Sequence, residues 1–299
     1  MLRARLQNLL PAGAGVFLVP AGLAMGLVLA VPLALSAYYS VTGWMITVPN
    51  SGNRIVWFNN YAAVLGDKAF WNAVSVTLIY TIVGASCEAA VGLALALLFR
   101  RSFPGRGILR TLMILPMVIT PAVVGMFWKL LYDDDYGVYN YALTLFGLPQ
   151  VSWLSRAMAL PSVLLMDIWE TSPFFMLVLL AGLQTEDKST IEAARIDGAS
   201  AWQITRYITL PHLVPYIAIA AAFRAIGALS EFDKVYMLTL GGPGSATTTM
   251  SLLNYKLGFV AFNIGRASAM SWVIAIITLV VATPLVAYLL RSARTRVRR

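Results

Sequence analysis

The apolar residues of this chain gather into long runs separated by polar inserts. Residues 13–39, 70–99, 111–131, 159–183, 213–229 and 267–290 each supply about the 17–25 residues that a membrane-crossing helix needs. The pattern predicts six spans, the fifth interrupted by Arg224. The first run follows Arg3 and Arg5, which is how a signal peptide begins. It is far longer than the roughly 7–15 apolar residues of a signal core, so it reads as a retained helix. The segments 40–69, about 132–158 and 231–266 are rich in Trp, Tyr, Asn and Gly, which suits a membrane–water interface and a partner surface. No low-complexity linker, second soluble domain or obvious internal repeat breaks the pattern, so residues 1–299 read as one transmembrane domain.

Composition and charge sharpen this picture. Of 299 residues, 59% are hydrophobic and 12% charged, against about 25% charged in an average soluble domain. A soluble chain of this size would lack the charge to cover its surface. An even number of spans puts both termini on one face. The segments 1–13, 100–110, 184–211 and 291–299 hold 14 of the 22 Lys and Arg, and the dense face is expected to be cytoplasmic. The longer opposite loops hold seven: Arg54, Lys68, Lys129, Arg156, Lys234, Lys256 and Arg266. The net charge of +9 is thus mainly a topology signal, too scattered for a nucleic-acid surface.

Several chemistries are excluded by what is absent. Cys87 and His212 are the single residues of their types, so no intrachain disulfide and no Cys/His metal site is expected. There is no G-x-x-x-x-G-K-[ST] phosphate loop, no G-x-S-x-G and no H-E-x-x-H. Gly241-Gly242-Pro243-Gly244 lacks a following Lys-Ser/Thr and reads as a turn.

Charges inside a span are costly and are functional candidates by default. Glu88, Asp167, Glu170 and Arg224 lie well inside their runs. Asp167 and Glu170 are three apart, so they share a helix face, with Trp169 and Phe174 near its flank and Pro173 placed to bend the span. Carboxylates beside an aromatic ring suit a sugar, whose hydroxyls take hydrogen bonds while the ring covers the apolar face. The alternative is that Arg224 pairs with one of these carboxylates and locks the bundle. Glu231, Phe232 and Asp233 begin the outer segment that follows. Asp133, Asp134 and Asp135 form the one acidic run, either a solvated loop tip or a contact for something basic.

The insert between the fourth and fifth runs, about 184–211, contains "EAARIDGASAWQITRYITLP". Ser189-x-x-Glu192 and Ser200-x-x-Gln203 both have the form of a capping box, and Gly198 between them suits a left-handed helix end. The reading is helix, glycine turn, helix, closed by Leu210-Pro211 before the fifth span. Ala193 and Ala194 are small enough to let another surface approach. The hairpin could instead lie by itself at the lipid headgroups, with Glu192 only a cap.

This stretch resembles the EAA signature of membrane subunits of bacterial binding-protein-dependent ABC importers. Glu192, Ala193, Ala194, Gly198, Ile208, Leu210 and Pro211 match its fixed positions. "WETSPFFMLVLLAGLQ" before it and "EFDKVYMLTLGGPGSATTT" after it are similar to the sugar-permease branch, and the resemblance covers about 70–290. Glu186-Asp187 departs from the Ile-Pro often found there. The resemblance implies an all-α permease of the type I importer kind, with the hairpin, Asp197 included, coupling to a separate ATP-binding subunit. It implies a second related permease, two ATP-binding subunits that carry ATP and Mg, an external solute-binding (lipo)protein, and a bacterial cytoplasmic (inner) membrane. It also places 231–233 near the translocation path. An ion-gradient-driven secondary transporter is the main rival and an intramembrane enzyme the other. The cytoplasmic EAA hairpin argues against the first, and the missing catalytic motifs against the second.

Overall fold

The computed structural model describes residues 14–296; Arg3, Arg5, Arg298 and Arg299, used in the topology argument, lie outside the described residues. Among the described residues every regular element is helical, and β-pairing is limited to one isolated bridge between Thr42 and Ile55. The elements are α1 (Ala14–Ser40), α2 (Asn59–Leu65), α3 (Lys68–Arg100), α4 (Arg106–Ile114), α5 (Pro121–Leu131), α6 (Val138–Leu145), α7 (Ala159–Gln184), α8 (Lys188–Ile196), α9 (Ala201–Ile204), α10 (Leu210–Leu229), α11 (Asp233–Thr239), α12 (Met250–Tyr255) and α13 (Ile264–Arg296). The fold is all-α, as expected.

Five helical segments are long and apolar enough to cross a membrane: Val19–Ser40, Lys68–Arg100, Ala159–Gln184, Ala201–Leu229 and Ile264–Pro284. The third expected span, 111–131, is not one helix. Helix α4 passes into a short 3-10 turn, Leu115–Val118, and α5 leaves at 101° to it. Proline explains the break. Pro121 drives the preceding Thr120 into extended backbone (φ −60°, ψ 131°), and Pro116 opens the 3-10 turn.

The described chain divides into two compact units, 14–66 with 255–273, and 67–254 with 274–296. In the first, the loop after α1 is closed by Asn60, whose amide donates to the carbonyls of Ser40 and Thr42 at 2.8 Å each. The second unit holds all the candidate functional residues. Its centre is α3 packed along α7, with α10 against both. Ala96, Phe99, Met176, Leu179, Leu180, Leu183 and Leu213 form the apolar cluster between them. Gly92 allows this approach, since a Cβ there would lie 2.4 Å from that of Phe175. Small residues at helix contacts are the usual means of close packing within lipid, where van der Waals contact drives association. Helix α7 continues through Pro173 as one helix.

Candidate functional site

Two constellations stand out in the second unit. One is a buried set of charges contributed by α3, α7, α10 and the start of α11. Arg224 Nε donates to Glu88 Oε2 at 2.7 Å, and its Nη2 donates to Asp167 Oδ2. Lys234 Nζ lies 2.5 Å from Asp167 Oδ1, 3.0 Å from Glu170 Oε2 and 3.2 Å from Glu231 Oε2. The Arg224 guanidinium also sits 5.1 Å from the centroid of the Tyr80 ring, a cation–π contact. Glu88 and Asp167 are fully buried, and Glu170, Arg224 and Lys234 nearly so.

The two cations face four carboxylates, and Glu88 Oε1 and the Tyr80 hydroxyl are buried without a hydrogen-bond partner. Asp167 bridges Arg224 and Lys234, so one carboxylate links three elements, and Arg224 adds α3 through Glu88. Removing one member of such a buried set leaves its partners charged and unpaired. Lys234, which the sequence counts among the basic residues of the outer loops, belongs to this cluster. Its backbone lies against α5, where a Cβ at Gly125 would come to 2.8 Å from the Lys234 carbonyl oxygen. The spacing from Glu231 to Lys234 was the available sequence signal: Glu231 lies just ahead of α11, and its carboxylate accepts the Lys234 amide at 3.2 Å while meeting its ammonium.

The other residues singled out on this side have mixed positions. Trp169 remains partly exposed and joins an aromatic group, its ring 5.5 Å from Trp128. Trp169 and Pro173 also line an apolar cavity of about 520 Å³. Phe174 is half-buried. Phe232 stacks on Tyr236, and Asp233 is exposed in the first turn of α11. In the acidic run, the Asp133 carboxylate accepts the amides of Asp135 (3.0 Å) and Tyr136 (2.9 Å), which hold its carboxyl below the usual range. Asp134 accepts from the Ser152 hydroxyl at 2.8 Å, so two of the three aspartates shape their own loop.

The second constellation is the insert between α7 and α10. Helix α8 begins two residues earlier than a Ser189 cap would set, and its cap is Asp187. Asp187 Oδ1 accepts the Ser189 amide at 2.9 Å, and the Ser189 and Thr190 hydroxyls also donate to this carboxylate. These donors hold the Asp187 carboxyl below its ordinary range. A short carboxylate one residue before the helix competes better for the first amides than a serine inside it. Glu192 therefore does not close a capping box. It is exposed and free of partners among the described residues.

The second box forms as expected. Ser200 Oγ accepts the Gln203 amide at 3.3 Å and Gln203 Oε1 accepts the Ser200 amide at 2.7 Å. Gly198 has φ +80°, the left-handed conformation that glycine reaches without steric cost. Leu210-Pro211 does not end the hairpin. One wide π turn, Thr205–Thr209, carries α9 into α10, giving a continuous run from Ala201 to Leu229. Pro211 falls in the first turn of α10, and the widened turn before it accommodates the missing amide.

Glu186 completes the arrangement. It is buried at 7% exposure, and its Oε2 lies 2.8 Å from Arg100 Nη1 at the end of α3. Arg100 also reaches Thr209 Oγ1 at 3.5 Å, inside the π turn. The start of the hairpin, its exit and the end of α3 thus share one guanidinium.

Residues 89–297 match the family model described as "Binding-protein-dependent transport system inner membrane component". The chain belongs to this family. It is therefore a multi-pass membrane component of a transport system and not an enzyme. It is 53% identical over 277 residues to a probable ABC transporter permease protein of Sinorhizobium fredii, covering 93% of this chain and 90% of that one. It is 38% identical over 245 residues to a trehalose/maltose transport system permease protein of Thermococcus litoralis, covering 81% and 80%. A sulfoquinovosyl glycerol transport system permease protein of Agrobacterium fabrum is 33% identical over 282 residues, covering 93% and 89%. Its fold is similar to a chain in the crystal structure of a bacterial ABC transporter involved in the import of the acidic polysaccharide alginate. The TM-score is 0.79 at 23% identity, covering 92% and 94%.

Proposed function

We propose that this chain is a permease subunit that moves a carbohydrate or a related polyol or glycerol conjugate through the bacterial cytoplasmic (inner) membrane in an ATP-driven importer. An external solute-binding (lipo)protein hands over the solute. A second, related permease completes the pathway, and two separate subunits bind ATP and Mg and hydrolyse the nucleotide. The names of its relatives, with trehalose, maltose and sulfoquinovosyl glycerol among their solutes, support the substrate class.

One observation carries the reading: the hairpin presents Glu192, Ala193 and Ile196 outward and is helically continuous with the span that bears Arg224. A push on α8 crosses the Gly198 turn into α9 and passes along the axis of α10 to the buried charges. Differential contact with a closing and opening ATPase pair is what such a lever converts into two membrane states. In this reading Glu88, Asp167 and Arg224 keep the spans in register, while Trp169 and Phe174 supply the ring faces that a sugar stacks against.

Reconstitution in proteoliposomes with the partner subunits tests the proposal. Uptake of a carbohydrate accepted by the binding protein should require ATP and survive dissipation of ion gradients. Uptake driven by an ion gradient without ATP would replace this reading with that of a secondary transporter.

A further inference from the structure

We infer that the arginine-dense face of this subunit carries a binding site for a phosphate oxyanion, beneath the hairpin and away from the buried charge cluster. Beneath the hairpin lies a cavity of about 640 Å³, walled by the end of α3 and by α8, α9 and the π turn. Arg100, Arg101 and Arg195 line it, with the Ser102 hydroxyl beside them. Arg100 is engaged by Glu186, while Arg101 and Arg195 have no carboxylate partner among the described residues. The cavity therefore holds two uncompensated guanidinium groups, and their forked donors match phosphate oxygens.

The position favours the headgroup layer over a protein partner. Arg100 and Arg101 follow directly on the apolar run of α3, at the depth where a span meets the leaflet surface. Leu97, Ile191 and Ile204 give the cavity an apolar wall against which an acyl chain can lie. Ile191 is buried and Arg195 follows it by one helical turn, so both face the cavity. Ala193 and Ile196 are exposed and point away from it, whereas Glu192, three residues before Arg195, shares the flank of Arg195. The outermost surface of the hairpin, Ala193 and Ile196, is thus turned away from the cavity. Basic pockets of this kind at the cytoplasmic ends of spans take lipid headgroups. The phosphate of an anionic phospholipid and free phosphate offer the same chemistry, and the test separates them.

The assembled transporter is purified in detergent, supplied with phosphatidylglycerol, and its bound lipid is counted by native mass spectrometry; thermal stability is read in parallel with and without inorganic phosphate. Wild type is compared with Arg101→Gln/Arg195→Gln and with the charge-keeping Arg101→Lys/Arg195→Lys. The Gln pair should lower phosphatidylglycerol retention by about tenfold or more, each basic residue near an anionic headgroup contributing about fivefold in affinity, and the Lys pair should restore most of it. Arginine-dependent stabilisation by inorganic phosphate, without arginine-dependent lipid retention, would support the site with free phosphate as its occupant. The inference is overturned if wild type and the Gln pair, both correctly assembled, retain equal lipid and respond equally to phosphate. It is also overturned if the Gln pair fails to assemble while the Lys pair assembles but neither retains lipid nor responds to phosphate.

Discussion

Glu186 and Arg100 form an ion pair of 2.8 Å that fastens the first residue of the hairpin's approach to the end of α3. The carboxylate is almost wholly buried, whereas the guanidinium is about one-third exposed, with 34% relative accessibility of its side chain. The pair therefore falls between an exposed and a buried one, and losing one partner should cost about 1–3 kcal/mol. Glu186→Gln and Arg100→Gln should each lower the melting temperature of the purified complex, and the double variant should lose less than the sum. Strict additivity in that cycle would show that the two side chains do not act together.

The buried charge cluster should respond most strongly to loss of a cation. Arg224→Met leaves Glu88 unpaired in an apolar interior and Asp167 with Lys234 alone, a loss of about 3–5 kcal/mol for a buried pair broken on one side. Folded yield should collapse, and Glu88→Gln combined with Arg224→Met should recover part of it by removing one orphaned charge. Fluorescence-detected size-exclusion chromatography reads this directly. Equal yields for the single and double variants would mean that Glu88 is not held by Arg224.

Gly198 is the hinge of the hairpin. A β-branched side chain at φ +80° is a strained outlier, costing about 1–2 kcal/mol or more. No atom lies within 4 Å of a Cβ built there, so the strain is conformational and not a clash. Gly198→Val should leave the complex assembled but reduce stimulation of ATP hydrolysis by the binding protein. Gly198→Asn, which tolerates the left-handed region better, should lie between. Wild-type stimulation in the Val variant would refute the hinge role.

Glu192 and Asp187 separate contact from cap. Since Asp187 caps α8, Glu192→Gln should preserve the helix yet weaken retention of the ATP-binding subunit as salt is raised. Asp187→Ala should do the reverse, loosening the hairpin without a salt-dependent loss of the subunit. The pH dependence has a definite sign. The Asp187 carboxyl sits below its ordinary value in the fold, so its contribution is present above that value and fades as pH falls through the depressed one. Protection of the α8 amides, with the pH dependence of intrinsic exchange divided out, should therefore fall on acidification in wild type and much less in Asp187→Asn, and unchanged protection in wild type would remove the cap assignment.

The linear order of residues determined what depends on local rules. Hydrophobic length set the spans, because the thickness of the apolar layer is a property of the solvent and not of the fold. Gly198 and the Ser200–Gln203 box were legible because a left-handed turn and a capping box each involve neighbours within about four residues. Spacing was less informative where two local options competed. Ser189-x-x-Glu192 satisfied the capping pattern, but Asp187 lay one residue ahead of the helix and took the same amides. Pro211 pointed to a helix end, and a π turn absorbed it instead.

Tertiary structure alone decided the partnerships between distant residues. Lys234 belongs with Asp167 and Glu170, and Glu186 with Arg100, because burial makes an unpaired charge too costly to leave and the nearest partner is set by which helices pack together. Glu88, Asp167 and Arg224 were visible as charges inside apolar runs, but 136 residues separate Glu88 from Arg224. Their meeting follows from the close packing of α3, α7 and α10, which Gly92 permits and no sequence window contains. The bend between α4 and α5 has its cause in Pro116 and Pro121. Hydropathy averages over both prolines and reads 111–131 as one helix, whereas the backbone geometry that proline imposes divides it in two.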